Sequence, residues 1–346
     1  MAGACEDLPD LARKLRFLQS AAAHGGRSDP VELIETHMSW VVLCGDRVLK
    51  LKKPVRYAFL DFSTPEARSR NAWEELRLNR RLAPQVYEGV LALQWRGGEL
   101  LLAPGEHPHP DAVTLDWLVL MRRLPAQRML DHLVKQALVQ QPDIDRLADV
   151  LAAFYRDAVP VPLSGGDYLE RIHEEQRNNR AVLTMARFGD IDPAGVLDLY
   201  EAALARQAPA LARRADGGHI VDGHGDLRPE HVCLLERPVI IDALEFQARM
   251  REVDPYDEIA FLGLECAVAG APWIGERLWT RLAQALGGAP PPVLHGLYTA
   301  RRAVLRARLS VAHLLDAQPR TPEVWLPRGQ GYLARARRAL QRLQEA

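Results

Sequence analysis

Lysine is nearly missing from this 346-residue chain: five lysines stand beside 39 arginines, out of 44 basic residues in all. A GC-rich genome accounts for that bias without any functional reading. Cysteine is also scarce. The four present, Cys5, Cys44, Cys233 and Cys266, show no CxxC spacing, which argues against a zinc site and against a disulfide framework. A reducing, cytoplasmic setting is the expectation. No uninterrupted apolar run reaches membrane-spanning length, and the acids at Glu6 and Asp7 leave no apolar core for a signal peptide, so no membrane partner is expected. The formal net charge of −1 supplies no field that would draw the chain to nucleic acid. There is no internal repeat and no GxxxxGK[ST], so any phosphate site has to be built without a P-loop.

What remains is an ordinary globular composition, 48% hydrophobic and 26% charged, on a chain long enough for two lobes. Leu8, Leu11, Leu15 and Leu18 recur at helical spacing, giving an N-terminal helical extension over residues 1–27 that stops at His24-Gly25-Gly26. Strands are expected at Val31 to Glu35, Trp40 to Leu43 and Arg47 to Lys53, with Cys44-Gly45-Asp46 as a turn. Ser63-Thr64-Pro65-Glu66 reads as a helix start with Ser63 as N-cap, and strands follow at Val86 to Trp95, Glu99 to Ala103 and Leu115 to Met121. The segment Arg122 to Pro125 is a natural linker, closing a β-rich lobe over 28–123. Residues 124–346 are mostly helical, apart from two short strands around 219–221 and 239–241.

Those two strands frame the segment His224-Gly225-Asp226-Leu227-Arg228-Pro229-Glu230-His231, with Asp242 just beyond. An aspartate in a loop after one strand and a second after the next is what phosphoryl transfer requires. One carboxylate takes the acceptor's proton while the other holds Mg²⁺ on the nucleotide phosphates.

The segment HGDLRPEH resembles the HxDxxxxN catalytic loop of the aminoglycoside phosphotransferase and choline kinase superfamily, and also the protein-kinase loop. ETHMSW, VLKLKKPV, YAFLDFSTPEARSRNAWEELRLNRRLAP, IIDALEF and VDPYDEIAFLGLE resemble a bacterial branch of that superfamily, whose members are sometimes fused to a P-loop ATPase domain. The likeness spans roughly residues 30 to 315. It implies an α+β, bilobal protein kinase-like fold with a small β-rich N-lobe and a larger helical C-lobe. It also implies ATP and Mg²⁺ as cofactors and a small-molecule acceptor.

Carried onto this chain, the resemblance makes Asp226 the catalytic aspartate, Asp242 the metal ligand and Arg228 a charge that neutralises the transferred phosphoryl group, or else a plain loop arginine. His224 reads as a backbone organiser. His231 stands where the superfamily has asparagine. Its imidazole would serve Mn²⁺ better than Mg²⁺, so the site either uses a histidine ligand, runs on one metal through Asp242, or is weakened to a nucleotide-binding pseudokinase. Lys50 and Lys52 share one strand face, and Lys50, chosen by the VxK pattern, is expected to meet the phosphates and pair with Glu75, or with its neighbour Glu74, the alternative being a plain basic strand edge. Thr36-His37-Met38-Ser39 takes the place of a glycine-rich loop, its hydroxyls, that of Ser39 included, and its turn amides facing phosphate, or else it is a plain hairpin turn. Met121 to Leu124, including Arg123, should form the hinge whose backbone reads adenine. Asp254 and Asp257 should brace the active-site loop.

Tyr298, Arg302 and Arg306 fall on one helix stripe, which is either a salt-bridged face or a site for an anionic or polyhydroxylated acceptor such as a sugar acid. A protein kinase fits less well, since IDALEF runs straight into VDPYDE without an activation segment. Nothing in the sequence speaks to oligomeric state.

Overall fold

The computed structural model describes residues 8–57, 60–189, 191–192 and 195–345, without the side chains of 344 and 345. Cys5, Glu6 and Asp7 lie outside the described residues. The chain divides into two compact units, Met1–Met129 with Val239–Ala248, and Leu130–Pro238 with Arg249–Ala346.

The first unit opens with α1 (Leu11–Leu18), capped by Asp10, whose carboxylate accepts from the Arg13 N–H at 2.7 Å. Five strands follow: β1 (Val31–Glu35), β2 (Ser39–Cys44), β3 (Arg47–Lys52), β4 (Arg56–Tyr57) and β5 (Leu60–Asp61). Then come α2 (Pro65–Asn79), β6 (Tyr87–Arg96), β7 (Glu99–Pro104) and β8 (Val113–Arg122). The main sheet is antiparallel in the order β1-β2-β3-β8-β6-β7. Alternation decides its two faces. Leu49 and Leu51 join Trp40, Val42, Leu93 and Leu118 under Leu18 of α1, while Lys50 and Lys52 point the other way, toward α2. The N-cap of α2 is Thr64, which accepts from the Ala67 N–H; Ser63, the expected cap, instead bonds Asp61. Asp116 on β8 is buried and takes a two-pronged contact from Arg68 of α2 at 2.6 and 3.0 Å.

Residues 239–248, which the sequence assigned to the second lobe, group with this first unit. The Ala243 N–H donates to Asn79 Oδ1 at 2.8 Å and the Asp242 N–H to Tyr87 Oη at 3.1 Å, tying the segment to α2 and β6.

The second unit runs α3 (Leu130–Lys135), α4 (Gln141–Asp157), α5 (Gly165–Leu183), α6 (Val196–Asp216), β9 (Val221–Asp222) and β10 (Val232–Cys233). After β11 (Val239–Ile240), which belongs to the first unit, come β12 (Glu252–Val253), α7 (Pro255–Val268), α8 (Trp273–Ala285), α9 (Pro292–Ala312) and α10 (Pro322–Glu345). Almost every residue of α7 is buried, so this helix is the spine of the unit. Glycine makes room for it: a Cβ on Gly263 would lie 2.8 Å from the Gly275 Cα, so the α7–α8 crossing depends on both glycines. No described helix is long and apolar enough to cross a membrane. Cys44, Cys233 and Cys266 are buried, and among the described residues none of them is in a disulfide.

Breaking a buried ion pair by removing one partner leaves an uncompensated charge. Asp116→Ala is therefore expected to lower unfolding free energy by about 3–5 kcal/mol, read from urea denaturation, and a double Arg68→Met/Asp116→Leu variant by less. A loss under about 1 kcal/mol, as for an exposed pair, would contradict this account.

Candidate active site

In the first unit the charged side chains expected at a nucleotide converge. Lys50 Nζ lies 2.8 Å from Glu75 Oε1 and 2.7 Å from Asp242 Oδ1. Lys52 reaches the same helix residue from two positions along the strand, 2.5 Å from Glu75 Oε2, in an ionic contact rather than a directed hydrogen bond, and also pairs with Glu245. Glu75 thus receives both lysines, while Glu74 faces outward and pairs with Arg77. Burial works against the charge on Lys50, but Asp242, Glu75 and Glu245 outweigh it and hold the ammonium well above the ordinary lysine range. Burial likewise favours protonated Glu75, yet Lys50 and Lys52 hold it below the usual glutamate range. Lys50 and Glu75 are thus each held in the charged form.

Asp242 adopts φ +63°, left-handed backbone that aspartate tolerates better than most residues, and its carboxylate is 43% exposed. That turn, fixed by Tyr87 and Asn79 on its two amides, aims the side chain back at Lys50. Ser39 starts β2 opposite Lys52 but is 1% exposed, so its hydroxyl is not presented to a phosphate. Thr36 spends its hydroxyl closing the β1–β2 turn on Ser39. At the expected hinge Met121 is buried in the sheet, and the N–H groups of Arg122 and Arg123 donate to Val86 O and Asp46 O at 2.8 and 2.7 Å. Those two donors are committed to the sheet and not to a base.

In the second unit the loop His224–His231 hangs from a carboxylate the sequence reading overlooked. Glu258 of α7, fully buried, accepts from the His224 N–H at 2.9 Å, from the Gly225 N–H, and from Tyr155 Oη at 2.8 Å. Burial pushes its carboxyl above the ordinary glutamate range, and the amides of Gly225 and His224 with the Tyr155 hydroxyl pull it back. Gly225 takes φ +88°, and a Cβ on Gly223 would come within 2.7 Å of Glu258 Oε2. Asp226, 30% exposed, is held at Oδ2 by Arg228 at 2.8 Å, and Arg228 also bonds Glu230 at 2.6 Å. His231 sits beside them, Nδ1 2.8 Å from the Asp226 carbonyl and Nε2 3.3 Å from Arg228 Nη2.

Asp254 and Asp257, expected to brace this loop, instead bind helices. Asp254 takes Arg214 at 2.6 Å and Tyr298 Oη at 2.9 Å; Asp257 takes Arg302 at 2.9 and 2.8 Å and Arg301 at 2.8 Å. Arg306 meets Glu265 at 3.0 Å. The stripe Tyr298, Arg302, Arg306 is therefore the salt-bridged alternative, packed on α7, and the case for an anionic acceptor built on it falls. Glu258, Tyr155 and Glu245 escaped notice because their partners are backbone amides or residues far along the chain. The one available signal was three acids at 254, 257 and 258, which share a face at a helix start.

No family model matches the chain. An uncharacterized protein of Mycobacterium tuberculosis is 31% identical over 304 residues, 86% of this chain and 58% of that protein, and a Mycobacterium bovis protein matches equally. The chain thus spans less than two thirds of the length of these curated relatives. Among solved structures, a choline/ethanolamine kinase family protein of Mesorhizobium loti aligns over 97% of this chain and 99% of its own, with 17% identity and TM-score 0.52. An ethanolamine kinase of Plasmodium vivax aligns over 94% and 88%, with 10% identity and TM-score 0.53. The chain has the bilobal, protein kinase-like fold. Within it, the fold is that of the choline and ethanolamine kinase structures.

The Gly223 contact gives a direct test of the Glu258 anchor. Gly223→Ala should cost roughly 1–3 kcal/mol of stability, as overpacking does, and should speed amide exchange at His224 and Gly225. Unchanged exchange at those two amides would show that Glu258 does not hold the loop.

Proposed function

We propose that the protein is an ATP-dependent phosphotransferase that moves the γ-phosphoryl group to a hydroxyl of a small molecule. The observation that carries this reading is Lys50 Nζ, ionised and held between Glu75 and Asp242 at 2.8 and 2.7 Å. An ammonium braced by a helix carboxylate is pre-positioned for nucleotide phosphates and needs little reorganisation to meet them. Asp242 suits a divalent cation, because Mg²⁺ bound with a nucleotide uses one or two carboxylates and takes its other ligands from phosphates and water. Its carboxylate is solvent-accessible and no closed cage is needed; among the described residues no group of three or more His, Cys, Asp or Glu forms one. When bound, the ion would neutralise phosphate charge. Asp226, fixed in its loop and partly exposed, accepts the hydroxyl proton, and Arg228 is the nearby fixed positive charge.

A nucleotide-binding protein without turnover is the second reading, favoured by the ion pair that engages Asp226 Oδ2 with Arg228. A metabolite-library screen for ATP consumption with Mg²⁺, and in parallel with Mn²⁺, separates the two. Asp226→Asn should then lower turnover by about 10²–10⁴-fold, the span of general-base catalysis, with nucleotide affinity by calorimetry unchanged. Lys50→Met should weaken nucleotide binding by about tenfold or more, as loss of a charge-assisted contact does. Full turnover in the Asp226→Asn variant would refute the assignment.

A further inference from the structure

The loop's two histidines grip the catalytic aspartate's backbone from opposite sides. His224 Nδ1 lies 3.2 Å from the Asp226 N–H and accepts from it, while His231 Nδ1 lies 2.8 Å from the Asp226 carbonyl oxygen. A carbonyl only accepts, so His231 Nδ1 carries the proton. Nε2 faces Arg228 Nη2 at 3.3 Å, and a guanidinium only donates, so Nε2 is the acceptor of that contact. These three bonds are met together with an acceptor at Nδ1 in His224 and a donor at Nδ1 in His231. Both rings are buried, their centroids 5.9 Å apart. The same guanidinium holds Asp226 Oδ2 at 2.8 Å, so His231 touches the aspartate twice, directly at its backbone and through Arg228 at its carboxylate.

We infer that His231 is a positioning residue for Asp226 and not a metal ligand, so the chain's phosphoryl transfer runs without a protein ligand for a metal at this loop position. The inference rests on the phosphotransferase reading and deepens it. Both ring nitrogens already have loop partners, and ligation through Nε2 would bring a cation against the Arg228 charge. Oxygen donors also suit Mg²⁺ better than imidazole. The geometry further ranks replacements. An asparagine amide nitrogen falls where Nδ1 lies and can still donate to the Asp226 carbonyl. Glutamine places its amide where Nε2 lies and leaves that carbonyl without a donor.

The full chain labelled with ¹⁵N-histidine reports the tautomer through two-bond proton–nitrogen correlations, the His231 signals being those lost in the His231→Asn variant. The expected pattern is Nδ1-protonated, neutral, and unmoved by Mg²⁺ with ADP. An Nε2-protonated ring, or an Nε2 shift of the metal-bound kind on adding Mg²⁺ with ADP, overturns the inference. In turnover assays His231→Asn should stay within about threefold of the parent, while His231→Gln and His231→Leu lower kcat by roughly tenfold to a hundredfold, the penalty of a misplaced catalytic group. The Mg²⁺ concentration for half-maximal rate should not change in any of them. A raised Mg²⁺ requirement in the leucine variant would mark a metal ligand and overturn the inference. If the parent turns over no acceptor, the functional reading fails by itself, and the nitrogen spectrum still decides the role of His231.

Discussion

Four carboxylates buried along one helix govern the second unit. Asp254 at the cap of α7, Asp257 and Glu258 in its first turn, and Glu265 two turns on are each at most 7% exposed. A carboxylate taken out of water is tolerated only where donors replace its hydration, so each acid dictates what must lie beside it. Asp254 requires Arg214 and Tyr298, Asp257 requires Arg301 and Arg302, Glu265 requires Arg306 and Tyr332. These demands bring α6, α9 and α10 onto the spine in one register. Glu258 differs in kind. Its donors are two backbone amides and a tyrosine, so here the same constraint fixes a loop rather than a helix.

The first unit meets its own constraint with the opposite arrangement, a helix carboxylate approached by two strand lysines. Spacing of two along β3 puts Lys50 and Lys52 on one face, and the intervening leucine faces the core on the other. Two cations on one glutamate would leave excess charge. Asp242 and Glu245, three residues apart on a segment bonded to Asn79 and Tyr87, supply the balance. The placement of that segment with the first unit follows from these bonds, although in sequence it lies beyond most of the second unit.

Local pattern carried much of this into the sequence. The strands of the main sheet and the helices of the second unit follow from alternation and caps, because those signals live within a few residues of one another, while the pairing of Lys50 with Glu75 was legible only through the resemblance. What escaped depends on long-range pairing. Tyr298, Arg302 and Arg306 form a stripe on α9 whichever way it faces, and only the acids of α7 decide that it faces inward. The amides of His224 and Gly225 bear no mark of their acceptor, and a glycine such as Gly223 reads as turn chemistry until a carboxylate is found against it. In the hinge region the order of elements located the segment, but order says nothing about which N–H groups its neighbours consume, here those of Arg122 and Arg123.

The grip of two imidazoles on the Asp226 backbone has an evolutionary consequence. Histidine and asparagine codons differ by a single base, and the asparagine side-chain nitrogen stands at the same branch position, δ, as the ring nitrogen that lies 2.8 Å from the carbonyl. Exchange between the two can therefore proceed without any intermediate sequence in which the carbonyl loses its donor. At position 224 the polarity is reversed, since that ring must accept, and the same substitution can satisfy it only through its amide oxygen. The two ends of the loop are thus unequal under mutation: the last residue has a neutral neighbour in the genetic code, and the first has a narrower one.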